Sequence, residues 1–246
     1  MKETRIIMGM PVVVEIIDDT VSQKSLDEVF DYFTSIDERF STYKTTSEIT
    51  LWNEGKITDA QQSDDMKKVL ELSLETKKQT NGFFDIFFNG TCDPSGLVKG
   101  WAIHNSADIL RKNGFKNFYV EIGGDIEIEG RNDKKEKWSI GIRNPFNREE
   151  IIKVVYLSGC GIATSGTAIR GSHIYNPKMK KQAEEIVSLT VIGPDIYEAD
   201  RFATAAFAMG EKGILFIEDL PGFEGYMINH EGLATFTSGF KKYTYA

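Results

Sequence analysis

Residues 118–129 read Phe118-Tyr119-Val120-Glu121-Ile122-Gly123-Gly124-Asp125-Ile126-Glu127-Ile128-Glu129. Two runs rich in β-branched and apolar residues, Phe118–Ile122 and Asp125–Glu129, flank a Gly-Gly pair. Glycine reaches positive φ without a Cβ penalty, so such a pair between two strand-like runs predicts a tight hairpin turn. Further along, Trp138–Ile142, Ile151–Leu157 and Ile186–Ile192 repeat the strand character, and Gly225–Ile228 with Leu233–Phe236 read as a terminal hairpin.

Helices lie mostly ahead of these strands. Between Ser25 and Phe40, the residues Leu26, Val29, Phe30, Phe33 and Ile36 recur at helical spacing. Ser63 to Gln79 repeats that signature, with Ser63 and two Asp residues as a good N-terminus. A third helix is expected from near Gly96 to the stop at Gly114, and an alanine-rich one follows Pro194 and ends near Gly210. Residues 5–17 read as one strand whose Pro11 marks an edge or a bulge. Helices grouped early and strands joined by short turns predict an α+β fold, a mainly antiparallel sheet packed with several helices. Neither a repeat nor a linker divides the chain, so a single domain over 1–246 is expected, with room for two lobes.

The chain has 246 residues, 29 Lys and Arg against 37 Asp and Glu, and a formal charge of −8. It is 41% hydrophobic and 27% charged, which argues against wholesale disorder. The acidic balance excludes a general nucleic-acid binder, which needs a basic face, but leaves a small phosphate ligand open. Cys92 and Cys160 form no C-x-x-C pair and read as two buried reduced thiols. The N-terminus lacks the long apolar stretch of a secretory signal, and no run approaches the roughly 20 apolar residues of a membrane span. A cytoplasmic protein without membrane insertion is expected, with removal of a leader ahead of position 1 as the alternative.

Four segments depart from plain structure. Asn81–Gly100 sets four Phe residues around Asp85 and then starts a helix at Asp93-Pro94-Ser95-Gly96. This is either an aromatic core segment with an ordinary cap, or rings for a planar ligand beside a helix N-terminus and Lys99 for a phosphate. It matches neither G-x-G-x-x-G nor a P-loop. Gly123-Gly124-Asp125 is a tight turn or a close backbone approach to a ligand. Ala163–Pro177 reads as a Gly/Ser/Thr-rich loop around Arg170 and His173, one of three histidines, without a G-x-S-x-G elbow. Asp200 and Thr204 stand one helical turn apart among alanines, as two hard oxygen ligands suited to Mg²⁺ or as an ion-paired Asp and a Thr bonded back to its helix.

Taken together and in order, these segments resemble the ApbE family of flavin transferases (FAD:protein FMN transferases). Met8-Gly9-Met10-Pro11, Phe40-Ser41-Thr42-Tyr43 with Ser47-Glu48-Ile49 and Asn53, Thr80–Asp85, Asp93–Gly100, Gly123-Gly124-Asp125, Ala163–Gly166, His173-Ile174 with Pro177, and Asp200–Thr204 match eight family motifs. The resemblance implies that Met8, Phe83, Phe84, Asp85, Asp93, Lys99 and Ile174 line an FAD site. It implies Mg²⁺, or alternatively Mn²⁺, held by the Gly96 carbonyl, Asp200 and Thr204, and His173 near the transferred phosphate. The implied reaction moves FMN from FAD, the substrate, onto a Thr or Ser hydroxyl of an acceptor flavoprotein and releases AMP, with His173 and Asp200 in catalysis and His173, or alternatively Asp85 or Asp93, taking the hydroxyl proton. An Mg²⁺-dependent FAD pyrophosphatase and a non-catalytic flavin carrier are the alternatives. Asp85 and Asp93 are closer together than the family often has them, which predicts a shortened wall of the flavin pocket. Pro177-Lys178-Met179-Lys180 replaces the family's P-x-T-G.

Overall fold

The structure is a computed structural model that describes residues 1–88, 90–167 and 174–245. Two strands, β1 (Lys2–Ile7) and β2 (Met10–Ile16), open the chain as a hairpin. Then come helices α1 (Gln23–Phe40), α2 (Glu48–Asn53) and α3 (Asp64–Gln79). Ser22, Ser47 and Ser63 cap them, each hydroxyl accepting a first-turn backbone N–H. A two-stranded ribbon, β3 (Phe87–Phe88) and β4 (Thr91–Cys92), leads into α4 (Ser95–Lys112). Strands β5 (Phe118–Ile122), β6 (Asp125–Glu129), β7 (Trp138–Arg143), β8 (Ile151–Leu157) and β9 (Cys160–Gly166) follow. The chain ends with the ribbon β10 (Tyr175–Asn176) and β11 (Lys181–Gln182), then β12 (Ile186–Gly193), α5 (Ile196–Ala208), α6 (Gly213–Glu218), β13 (Glu224–Asn229) and β14 (Ala234–Phe236).

Eight strands form one sheet in the order β1-β2-β5-β6-β9-β12-β13-β14, with every neighbouring pair antiparallel. The expected α+β fold is what forms. The β5–β6 connection is a two-residue turn with Gly123 at φ +61° and Gly124 at φ +98°. Positive φ at both central positions is the geometry that matches strand twist, and it favours glycine.

Two cores sandwich the sheet. The larger packs strand residues such as Val12, Val14 and Val120 against Phe30, Phe33, Leu97 and Ala203 of the helices. The smaller covers part of the opposite face, where the β7–β8 hairpin sets Trp138, Val155 and Leu157 against Ile126, Ile128, Ile162 and Tyr226. Among the described residues no helix is long and apolar enough to cross a membrane. Both cysteines are buried and unpaired, as expected.

Two expectations need correction. Residues 5–17 are not one strand: Met8 and Gly9, at φ +55° and +70°, turn the chain between β1 and β2. Nor is β2 an edge. Pro11 is tolerated because the ladder with β5 begins only at Val12, so its missing N–H falls outside that pairing. The segment from Ala163 is also not all loop: Cys160–Gly166 is an interior strand between β6 and β12. Small residues suit this strand because α5 crosses it closely, and a Cβ at Gly161 would collide with the Ile196 backbone.

Candidate active site

A cleft of about 810 Å³ opens where α4, α5, the β5–β6 turn, β9 and the tip of the β7–β8 hairpin converge. Its charged centre lies between α4 and α5. Asp200 is buried at 3% exposure, and the Gly100 backbone N–H donates to its Oδ2 at 2.8 Å. The helices approach this closely because Gly100 has no side chain: a Cβ there would stand 2.6 Å from Asp200 Cβ and 2.8 Å from the Ile196 carbonyl. One turn further along α5, the Thr204 hydroxyl donates to the Gly96 carbonyl at 3.3 Å.

Lys99 is ion-paired with Asp125 and faces Asp200 at 3.7 Å. Asp125, on β6, is 1% exposed and also accepts the Thr164 N–H at 3.0 Å. Burial pushes the Asp200 carboxyl up to about 7; Lys99 opposes that rise and the neighbouring Asp125 adds to it. The ionised form of a carboxylate in this position is favoured by a nearby cation.

That requirement tests the expected metal site. Carboxylate, hydroxyl and carbonyl oxygens are hard donors of the kind Mg²⁺ and Mn²⁺ accept. Among the described residues no group of three or more His, Cys, Asp or Glu side chains is arranged to hold a metal. Mg²⁺ is commonly bound by one or two carboxylates with substrate phosphates completing its shell. The donor set at Asp200, Thr204 and Gly96 fits on those terms.

The remaining expected residues distribute as follows. Phe83, Phe84, Asp85, Asp93, Lys99 and Ile174 all line the cleft. Asp85 accepts a hydrogen bond from Lys77 Nζ at 2.6 Å, and Asp93 accepts the Ser95 N–H at 3.0 Å at the start of α4. Met8 packs against the larger core, and the cleft lining takes Gly9, Met10 and Pro11 instead. His173 lies outside the described residues. The wall between Asp85 and Asp93 is the β3–β4 ribbon, and Lys178 Nζ sits 4.5 Å from the centre of the Phe83 ring. Glu198 and Arg201 engage each other at 2.6 Å, and Arg201 runs on to Thr76 and Gln79.

Sequence reasoning missed a supporting network behind the cleft. Glu127, 1% exposed, accepts the Ile196 N–H of α5 at 2.7 Å and Arg111 Nη2 at 2.5 Å. Arg111, on α4, also donates to Asp108 and Glu129 at 2.9 Å each. Glu127 thereby ties both helices of the charged centre to the sheet, its charge favoured at the N-terminus of α5. It also missed Arg143 and Arg148, which reach the cleft from the β7–β8 connection.

Known proteins match this fold and sequence. The model of the ApbE family matches residues 8–93 and 89–227. The FAD:protein FMN transferase of Haemophilus influenzae is 25% identical over 99% of this chain and 93% of its own. The FAD:protein FMN transferase of Vibrio cholerae is 33% identical over 49% of this chain and 39% of its own. The Escherichia coli K12 protein of the same name is 30% identical over 57% and 43%. Among solved structures, the flavin transferase ApbE from Vibrio cholerae superposes with a TM-score of 0.85 at 22% identity, covering 99% of this chain and 98% of that one. An ApbE protein from Thermotoga maritima reaches 0.88 at 21% identity, covering 100% and 99%. With family motifs matched along most of its length and the fold shared throughout, the chain belongs to the ApbE family.

Proposed function

We propose that this protein transfers FMN from FAD to a hydroxyl of an acceptor flavoprotein and releases AMP. The observation that carries the reading is the buried Asp200 between Gly100 and Lys99, with Thr204 and Gly96 one turn away, at the centre of a cleft large enough for a dinucleotide. The names of the relatives support the same chemistry. We read the chain as one domain, because strands from both ends join one sheet. A cytoplasmic location and a Thr or Ser target belong to the same proposal.

The acceptor oxygen attacks the FMN phosphorus, a new P–O ester bond forms, and the bond to the bridging pyrophosphate oxygen breaks with AMP leaving. Such a transfer asks mainly for charge neutralisation and in-line alignment. Asp200, Thr204 and the Gly96 carbonyl would hold Mg²⁺, which when bound supplies Lewis-acid stabilisation of phosphate oxygens. Lys99 adds positive charge beside the same centre, and Asp125 fixes its position. Phe83, Phe84, Asp85, Asp93 and Ile174 hold FAD along one wall. His173 takes the proton of the acceptor hydroxyl, a role its near-neutral ordinary pKa suits.

The test is AMP release from FAD with and without Mg²⁺, in wild type and Asp200→Asn. Asparagine keeps an acceptor for the Gly100 N–H, so the fold should persist. AMP release is expected to need Mg²⁺ and to disappear in the variant. Equal release in chelator, or in Asp200→Asn, would overturn the metal assignment. His173→Ala should slow transfer with FAD still bound, and an unchanged rate removes His173 from the chemistry.

A further inference from the structure

Pro177-Lys178-Met179-Lys180, where the chain departs from the family's P-x-T-G, forms the turn of the β10–β11 ribbon. The buried Asn176 fixes this turn. Its Oδ1 accepts the backbone N–H groups of Lys178 and Met179 at 3.0 Å each, and its Nδ2 donates to the Ala208 carbonyl at the end of α5 at 2.6 Å. A side-chain amide that satisfies two turn donors and is itself anchored to a core helix holds the backbone in one conformation. The side chains on that fixed turn do little for the fold. Lys178, Met179, Lys180 and Lys181 are all exposed, Met179 at 53%. Among the described residues, Lys180 and Lys181 make no ion pair or side-chain hydrogen bond. Lys178 lies over the Phe83 ring at 4.5 Å and has no carboxylate partner there.

The positive charge is local. Residues 174–183 hold three lysines and no acidic residue, in a chain whose net charge is −8. Glu184 and Glu185 follow the ribbon, Glu185 packs against Gly210, and neither pairs with these lysines. The ribbon also has a defined place at the cleft. Tyr175 and Gln182, the paired residues at its base, line the cleft, whereas Lys178, Lys180 and Lys181 stand outside the lining. FAD held within the cleft meets Lys99 and leaves these three lysines free of it. A protein that brings a hydroxyl to the cleft passes beside them. Charges on the rim of an interface act on encounter rate and partner choice, and their effect weakens with salt.

We propose that the β10–β11 turn is a docking rim for the acceptor protein and recognises an acidic segment beside the hydroxyl that receives FMN. Met179 supplies an apolar contact between the charges. The inference rests on the reading of the protein as an FMN transferase. Its test measures FMN transfer to an acidic flavoprotein acceptor, and to the same acceptor with the Asp and Glu residues near its target threonine changed to Asn and Gln. Lys180→Glu/Lys181→Glu should lower kcat/KM for the acidic acceptor about 10-fold at low salt, the lower end of electrostatic steering effects. The FAD Kd and the kcat at saturating acceptor should not change. Raising the salt should narrow the difference between variant and wild type. The neutralised acceptor should be poor with wild type and lose little more with the variant. Lys134→Glu/Lys135→Glu makes the same charge change in the β6–β7 loop, at the far end of β6 from the cleft-lining Gly123-Gly124 turn, and should leave kcat/KM unchanged. Melting curves check that each variant is folded, and Lys180→Gln/Lys181→Gln replaces the reversal variant if that one is not. Unchanged kcat/KM in a folded Lys180/Lys181 variant, an equal loss in the Lys134/Lys135 variant, or a loss of FAD affinity overturns the inference. So does weakened binding to anionic phospholipid vesicles with acceptor kinetics intact, which assigns the lysines to a membrane surface. A wild-type protein that yields AMP and free FMN without flavinylated acceptor overturns the transferase reading itself, and the docking rim with it.

Discussion

Replacing Glu127 with leucine removes the carboxylate that ties α5 to the sheet. The Ile196 N–H, 2.7 Å from Glu127 in the wild type, loses its acceptor in a buried position. An orphaned backbone donor of this kind costs about 1–3 kcal/mol. The charge-assisted bond from Arg111 is lost too, typically about 1.5–3 kcal/mol. That second cost is reduced because Arg111 keeps Asp108 and Glu129 and its side chain is 31% exposed. Leucine returns some apolar burial and removes a desolvated carboxylate. The net loss is then about 3 kcal/mol, within the range for breaking a buried ion pair. For a chain of this size that lowers the melting temperature by roughly 6–12 °C. Thermal unfolding followed by circular dichroism on the ligand-free protein gives the value, and hydrogen exchange at the first amides of α5 locates it. Glu127→Gln keeps an acceptor for Ile196 and should fall between. A Glu127→Leu melting temperature within about 2 °C of wild type would refute the claim that this carboxylate anchors α5.

Other perturbations follow from the same geometry. Gly100→Ala drives a methyl into Asp200 and the Ile196 carbonyl, and overpacking outweighs the gain in helix propensity by about 1–2 kcal/mol; the expected fall in melting temperature is roughly 2–8 °C, and an unchanged value would mean that α4 and α5 separate freely. His104 has its pKa raised, first by the Glu127 carboxylate facing its ring, with burial opposing and Asp195 and Asp108 adding to the rise. Its protonated form is favoured in the fold, so its stabilisation is present below the unfolded pKa and is lost as pH rises through the folded one. The stability difference between wild type and His104→Gln should therefore be larger at pH 6 than at pH 9, and a flat difference would contradict the assignment.

Much of the fold was legible because local signals agreed with the tertiary outcome. The Gly123-Gly124 turn, the Ser63 cap and the apolar spacing of α1 each specify their element within a few residues. Strand β9 was not legible, since Gly161, Ala163 and Ser165 are small to fit under α5 and carry no strand signature of their own. Asp125 and Glu127 were not legible as buried groups either. Acids alternating with isoleucines look like a solvated strand face, and only the packing of α4 and α5 over β6 turns that face inward. At the site, Asp200 and Thr204 could be paired by helical spacing alone. Arg143, Arg148, Phe88 and Tyr175 reach the cleft through long-range folding that no local spacing encodes.

The central claim is that FMN leaves FAD for a protein hydroxyl. The direct measurement is the product balance after incubation with FAD, Mg²⁺ and a flavoprotein whose threonine is known to receive FMN. AMP, free FMN and flavin that stays on the acceptor after denaturation are quantified together. The account predicts one AMP for each flavin bound covalently to the acceptor, with little free FMN. AMP matched by free FMN, or FAD recovered intact, would contradict it.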